Sequence, residues 1–237
     1  LGLPQDTEVE TVQALYDGML TIAQKFKVTI IGGDTVGSPF VFVSVTVLGS
    51  SVDTAGKVLL RSAAKPGDKI AVTNTLGASA AGLTMLTHNL KFPPKVSSEL
   101  RQAHLQPYPR IPEGNKLVAH GVKAGMDISD GLVGDLTHIC EMSWGGARLG
   151  VNLIPISPVV KKYFGEKALD FALNGGEDYE LLFTAPAHVI QRVKKALNCP
   201  VTVIGEITAK NPGKVILIDK TGKSINLKRK GWDAFKK

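Results

Sequence analysis

Met126-Asp127-Ile128-Ser129-Asp130-Gly131-Leu132 reads as a strand, a turn and a helix start. The small apolar run Gly125-Met126 ends on a carboxylate, and beyond the Ser-Asp-Gly turn Leu132, Leu136 and Ile139 recur at helical spacing. Asp130 is expected to cap a helix over 131–142, which puts Ser129 and Asp130 where free backbone N–H groups attract anions. Two further stretches share the pattern. Gly32-Gly33-Asp34-Thr35 follows the strand-like Val28 to Ile31, and Gly175-Gly176-Glu177-Asp178 leads into a strand from Tyr179 to Phe183. A carboxylate at a strand end, beside glycines that let backbone approach a ligand, suits a hard cation with its phosphate. The three motifs read together as one metal and nucleotide site. Taken singly, the first also fits a tight strand-to-strand turn and the second a plain N-cap. The third is harder to dismiss, because Glu177, Asp178 and Glu180 repel one another unless a cation or solvent offsets them.

Outward from these motifs, elements alternate. Thr7 with Glu10 forms a candidate capping box for a helix of some five turns carrying Val9, Val12, Leu15, Met19, Ile22 and Phe26. Strand Val28 to Ile31, the Gly-Gly-Asp turn and a β-branched strand from Phe40 to Leu48 follow. A small-residue segment near 50–62 marks a boundary, which we place as domains 1–55 and 56–237. In the second domain, strand Lys69 to Thr73 is launched by the turn Lys65-Pro66-Gly67-Asp68. Helices are expected over Leu76–Asn89, Pro94–His104 and Pro112–Val122. After the second motif come strand Arg148 to Leu153, a helix near Lys167 to Leu173, strand Tyr179 to Thr184, helix Pro186 to Leu197, strand Val201 to Ile207 and a hairpin closed by Asp219-Lys220-Thr221-Gly222. The pattern is α/β, of mixed α+β character.

Composition narrows the classes. The 237 residues are 43% hydrophobic, enough for one large core or two modest ones, and no run approaches a membrane span. Two cysteines without CxxC spacing are no disulfide framework, so a reducing cytoplasm is expected. The net charge of +7 is scattered apart from Lys228-Arg229-Lys230 and the Lys236-Lys237 tail, which suits small phosphorylated ligands and argues against a nucleic-acid face. Histidine spacing supports neither a metal cluster nor a nucleophilic triad, and no GxxxxGK[ST] loop is present. The chain opens on Leu1-Gly2-Leu3-Pro4 with no initiator Met, so a preceding segment is expected.

Gly-Gly-Asp-Thr, Met-Asp-Ile-Ser-Asp-Gly-Leu, Asn-Gly-Gly-Glu-Asp-Tyr-Glu-Leu-Leu-Phe and the late Gly231-Trp232-Asp233-Ala234-Phe235 occur in the order and spacing of the thiamine-monophosphate kinase family. The chain resembles that family, within the aminoimidazole ribonucleotide synthetase-like superfamily, over essentially its whole length. The family's N-terminal quarter, with a Gly-Asp-Asp-Ala motif and a further metal-binding Asp, has no counterpart here. The resemblance implies a two-domain α/β fold with its first domain truncated, a homodimer, and phosphoryl transfer from ATP to thiamine monophosphate with Mg2+. It implies that Asp34, Asp127 and Asp130 bind Mg2+, with Asp34 and Asp130 catalytic. It further implies that Gly33, Asp34, Arg61 and Ser129 contact the nucleotide, and that Glu177 and Trp232 recognise the substrate. A carboxylate and an aromatic face suit a thiazolium cation and an aminopyrimidine. Two alternatives stay open: a sister ATP-dependent enzyme such as aminoimidazole ribonucleotide synthetase or selenophosphate synthetase, and a non-catalytic nucleotide-binding domain.

Overall fold

A computed structural model of the protein describes residues 1–51 and 57–225. They fall into two compact units, Leu1–Ser50 and Ser51–Lys237. In the first, strand β1 (Gly2–Leu3) precedes helix α1 (Val9–Phe26), and β1 pairs in parallel with β2 (Val36–Gly37). The expected capping box does not form. Glu8 occupies the N-cap in extended conformation with no side-chain bond, while the Thr7 N–H is turned back to the Pro4 carbonyl. Of the expected stripe, Val12, Leu15, Met19 and Phe26 are half-buried while Val9 and Ile22 are exposed, and α1 stops where Lys27 turns left-handed.

The two strands expected beside the first motif are absent among the described residues. Val28–Ile31 and Phe40–Leu48 have no ladder, apart from one antiparallel bridge between Gly2 and Phe42. Their β-branched side chains instead stand in solvent, Ile31 at 83% and Val47 at 77% exposure. Propensity marks such a segment as fit for a sheet, but a strand exists only where a second backbone accepts its hydrogen bonds.

The second unit is built on a seven-stranded sheet ordered β4-β6-β3-β7-β5-β8-β9. Its elements run β3 (Lys69–Thr73), α2 (Ala78–Thr87), α3 (Pro94–Leu105), α4 (Ile111–Ala119), β4 (Ala124–Asp127), α5 (Leu132–Met142) and β5 (Gly146–Gly150). They continue with α6 (Pro158–Phe164), α7 (Lys167–Asn174), β6 (Leu181–Ala185), α8 (Ala187–Ala196), β7 (Val201–Thr208), β8 (Val215–Ile218) and β9 (Ser224–Ile225). All neighbours are antiparallel except β5 and β8. The sequence anticipates most of these within two or three residues. It missed α6, and the expected strand to Leu153 ends at Gly150, giving way to a 3-10 turn over Val151–Leu153.

Both faces of the central strands are covered, as their nearly continuous apolar runs demand. Ile70, Val72 and Leu182 face one core, with Leu132, Leu136 and Ile139 of α5 and Ala172 and Leu173 of α7. Ala71, Phe183 and Ala185 face another, with Leu117 of α4 and Val189, Ile190 and Val193 of α8. A third, smaller cluster joins α2, α3, α6 and α7. There α2 and α3 approach so closely at Gly82 that an added Cβ would lie 2.2 Å from the Leu100 carbonyl oxygen. Gly82→Ala is therefore expected to force these helices apart and lower the melting temperature by several degrees, a loss of about 1–3 kcal/mol. Thermal unfolding followed by circular dichroism measures it.

Candidate functional site

Antiparallel pairing brings the second and third motifs together. Asp127, at the end of β4, lies opposite Leu181, at the start of β6. Past the ladder, three backbone bonds continue the zipper: Ile128 N–H to Glu180 O at 2.8 Å, Tyr179 N–H to Ile128 O at 2.9 Å and Glu177 N–H to Ser129 O at 2.8 Å. β3 runs antiparallel to β6, so its carboxyl end, and the loop from Asn74 to Gly77 that starts α2, reach the same edge. Glycines make this convergence possible. A Cβ on Gly176 would sit 2.5 Å from the Ser129 carbonyl oxygen, and one on Gly175 2.3 Å from that of Phe171. Gly131 adopts φ +111 against Asn174, which excludes a side chain both by conformation and by contact.

The expected cap on α5 is corrected. Gly131, not Asp130, holds the N-cap position, and no side-chain oxygen caps it. Instead Asp135, buried in the first turn, reaches back: its Oδ2 accepts from the Ser129 and Asp130 N–H groups at 3.0 and 3.1 Å. Those two N–H groups are thus occupied by protein and are not free for an anion. The Asp127 and Asp130 side chains remain exposed, and neither has a cationic partner among the described residues. Burial pushes the Asp135 carboxyl up to about 6, offset in part by the two N–H bonds and reinforced by the charges of Asp130 and Asp127.

The three crowded acids of the third motif separate into three environments. Glu180 is buried and bidentate to Arg110, at 2.7 Å from Nη2 and 3.0 Å from Nε, and also accepts from Thr73 Oγ1 at 2.6 Å and Asn74 Nδ2 at 3.0 Å. The Asp178 carboxyl faces the amino end of α2, accepting from Gly77 N–H at 2.7 Å and Ser79 N–H at 3.3 Å. Glu177 is left to solvent. The Arg110 guanidinium offsets one charge and the N–H groups at the start of α2 a second, while the third is exposed beside the Tyr179 phenol. Burial outweighs the helix N–H groups at Asp178 and pushes its carboxyl up to about 7, with the Glu180 charge adding to the rise. Tyr179 turns its phenol toward Glu177, Asp127 and Asp130; burial first, then these three charges, raise its pKa.

The Asp178 shift has a definite sign. Its proton is held more tightly folded than unfolded, so its contribution to stability is complete below about pH 4 and is lost as pH rises through about 7. The melting temperature is expected to fall by several degrees between pH 5 and pH 8, and Asp178→Asn to flatten that fall. Calorimetric scans across this range provide the check.

A cavity of about 470 Å³ opens between α2, α3 and α7 beside these loops. Its rim carries Ser129, Asp130 and Glu177, and its walls are Leu83, Thr84 and Phe171. His104 Nδ1 lies 3.0 Å from Ser79 Oγ across the α2–α3 contact. Of the residues expected to act together, Ser129, Asp130 and Glu177 line this cavity, and Asp127 stands at the end of β4, its charge felt by the same Tyr179 phenol as those of Asp130 and Glu177. The Arg61 carbonyl accepts from Ser143 Oγ at 2.8 Å, while its neighbour Leu60 bridges β4 at Ala124 and accepts from the Gly125 N–H at 3.3 Å, two residues before Asp127. Gly33 and Asp34 belong to the first unit, where they line a cavity of about 820 Å³, with Asp34 Oδ1 accepting from Thr35 N–H at 2.8 Å. Trp232 lies outside the described residues. Among the described residues no cluster of three or more His, Cys, Asp or Glu side chains is arranged to hold a metal by itself, and no helix is long and apolar enough to cross a membrane.

Asp135 and Arg110 were missed from sequence, and Asp178 was read as part of the third motif without a role of its own. Asp135 carried one signal, an acidic residue in the first turn of a helix. Arg110 carried none, because its partner is 70 residues away.

Comparison with known proteins supplies independent findings. Residues 65–218 match the family described as AIR synthase related protein, C-terminal domain. The thiamine-monophosphate kinase of Escherichia coli K12 is 38% identical over 240 residues, covering 99% of this chain and 72% of that protein. A thiamine-monophosphate kinase structure from Stenotrophomonas maltophilia K279a superposes with TM-score 0.77 at 30% identity, over 94% of this chain and 71% of the other. A structure described as AaThiL complexed with AMPPCP and TMP gives TM-score 0.77 at 29% identity, over 99% and 71%.

Proposed function

The chain belongs to the thiamine-monophosphate kinase family, and on that premise we propose that it transfers the γ-phosphoryl group of ATP to the phosphate of thiamine monophosphate, giving thiamine diphosphate and ADP. The observation that carries this reading is two exposed carboxylates without a cationic partner among the described residues, Asp127 at the end of β4 and Asp130 on the rim of a cavity that also bears Ser129 and Glu177. A relative of the same fold is described in complex with AMPPCP and TMP.

The chemistry needs no strong base. A phosphate monoester has its second pKa near about 6, so at neutral pH the acceptor is mostly a dianion and already nucleophilic. The obstacle is repulsion between two polyanions, and an acid-rich site meets it only with cations. Asp127 and Asp130 suit Mg2+, which commonly takes one or two carboxylates and completes its shell with water and substrate phosphates. When bound there, Mg2+ would neutralise phosphate charge and hold the phosphates in line. Ser129 would contact the nucleotide, with Asp34, Gly33 and Arg61 contributing as the family pattern suggests. Asp34 and Asp130 are the carboxylates we assign to the transfer itself. Glu177, alone of its motif in facing solvent, would offer its charge to the thiazolium, with Trp232 supplying an aromatic face. Homodimerisation and a cytoplasmic location belong to the same proposal. The dimer is supported by apolar residues exposed on the first unit, such as Phe40, Val45 and Val47.

The test is direct: incubate the purified protein with γ-labelled ATP, Mg2+ and thiamine monophosphate, and follow label into thiamine diphosphate. Transfer that requires thiamine monophosphate and is not supported by aminoimidazole precursors or selenide separates this reading from the sister enzymes. Hydrolysis without transfer would overturn it.

A further inference from the structure

Between Gly176 and Glu180 the chain does something unusual for ordinary residues: Glu177 (φ 66) and Tyr179 (φ 49) are both left-handed, one on each side of Asp178. Such backbone is strained for side chains of this size and persists only where surrounding contacts over-determine it. The contacts are on view. Glu177 and Tyr179 are each tied by their N–H to the loop of the second motif. Asp178, between them, drives its carboxyl inward to accept from Gly77 and Ser79 N–H. Gly77 is itself left-handed (φ 89), with Ala172 backbone 3.0 Å from where a Cβ would be. Ser79 is buried and lines the cavity, as Glu177 does. One carboxyl therefore joins the loop that carries Glu177 to the helix that walls the cavity.

We propose that Asp178 is a positioning residue for acceptor recognition: by clamping residues 177–179 onto the amino end of α2 it holds Glu177 in its left-handed pose at the rim, so that the charge meeting the cationic ring is set before the substrate arrives. This rests on the functional reading above, since it takes the acceptor to be the cationic phosphate monoester proposed there. Two alternating faces result. Asp178 and Glu180 point into the protein, to α2 and to Arg110, while Glu177 and Tyr179 face the site. The Asp178 bonds are made to backbone N–H groups, so the clamp depends on an acceptor oxygen at position 178 and not on a particular side-chain partner.

The experiment is a mutant cycle in the intact protein with Asp178→Ala, Asp178→Asn, Glu177→Gln and the double variant Glu177→Gln/Asp178→Ala, read by steady-state kinetics and by calorimetric titration with thiamine monophosphate. Asp178→Ala should raise KM for thiamine monophosphate about tenfold, with kcat and KM for ATP within about threefold of wild type. Asp178→Asn keeps one acceptor oxygen and should recover part of that loss. Because Asp178 acts through Glu177, the double variant should bind little worse than Glu177→Gln alone, the non-additivity expected of coupled residues. Additive losses in the double variant, or a parallel fall in kcat and both affinities, would overturn the proposal. Should Asp178→Ala fail to fold, the cycle is run with Asp178→Asn and the same criteria apply. A wild-type protein that binds thiamine monophosphate but does not phosphorylate it would sink the functional reading alone, leaving the cycle readable by calorimetry.

Discussion

Asp130→Asn, and separately Asp127→Asn, should lower kcat for phosphoryl transfer by about 10²–10³-fold, the scale on which a lost charge-stabilising group acts at a transition state. Both side chains are exposed, and the bond that shapes the loop runs from the Asp130 backbone, not its carboxyl, to Asp135. The amide is nearly isosteric, so the melting temperature should stay within about 1–2 °C. What changes is charge: each substitution removes half of the pair that would hold the cation against the phosphates, so the Mg2+ concentration for half-maximal rate should rise as well. Initial rates across a Mg2+ series, with a melting curve for each variant, decide the matter. Rates within threefold of wild type in both variants would reduce the second motif to a plain turn.

Arg110→Ala should give the largest loss of stability, about 3–5 kcal/mol and on the order of 10 °C in melting temperature. The Glu180 side chain is 8% exposed, and losing Arg110 strands its charge with only Thr73 and Asn74 as donors. Arg110 itself is 21% exposed, which places the loss toward the lower end of that range. The damage is local to the site, because Glu180 is three residues from Glu177 and its carbonyl accepts from Ile128. Replacing both partners by apolar residues of similar size, as in Arg110→Met/Glu180→Leu, should restore much of the stability, since it is the unpaired charge and not the missing bridge that destabilises. Denaturant unfolding of the single and double variants measures both values. A single variant within 1 kcal/mol of wild type would mean that water replaces the guanidinium freely.

Much of the second unit is legible one element at a time because its signals are local. Strand β3, the helix from Pro94, the α5 stripe of Leu132, Leu136 and Ile139, and the hairpin near Asp219 each follow from spacing and turn chemistry within about ten residues. The family resemblance, too, lies in local strings, and the comparisons sustain it. The same local reasoning fails wherever a partner is distant. Val28–Ile31 and Phe40–Leu48 have strand-like composition but no ladder among the described residues, because composition cannot supply the second backbone. Asp130 has cap chemistry, yet Asp135 takes that loop's N–H groups from within the next helix.

By itself, then, the sequence determined which residues have the chemistry for the site: the acids of the second and third motifs and the glycines beside them. Only the tertiary structure decided which of those acids is available. Glu177, Asp178 and Glu180 are chemically similar neighbours, and nothing in their order says that Arg110, 70 residues away, neutralises one, or that the start of α2, about 100 residues away, binds another. A carboxylate's role follows from the dielectric, dipoles and charges around it, and those come from segments that are distant in the chain and adjacent only once the sheet has formed.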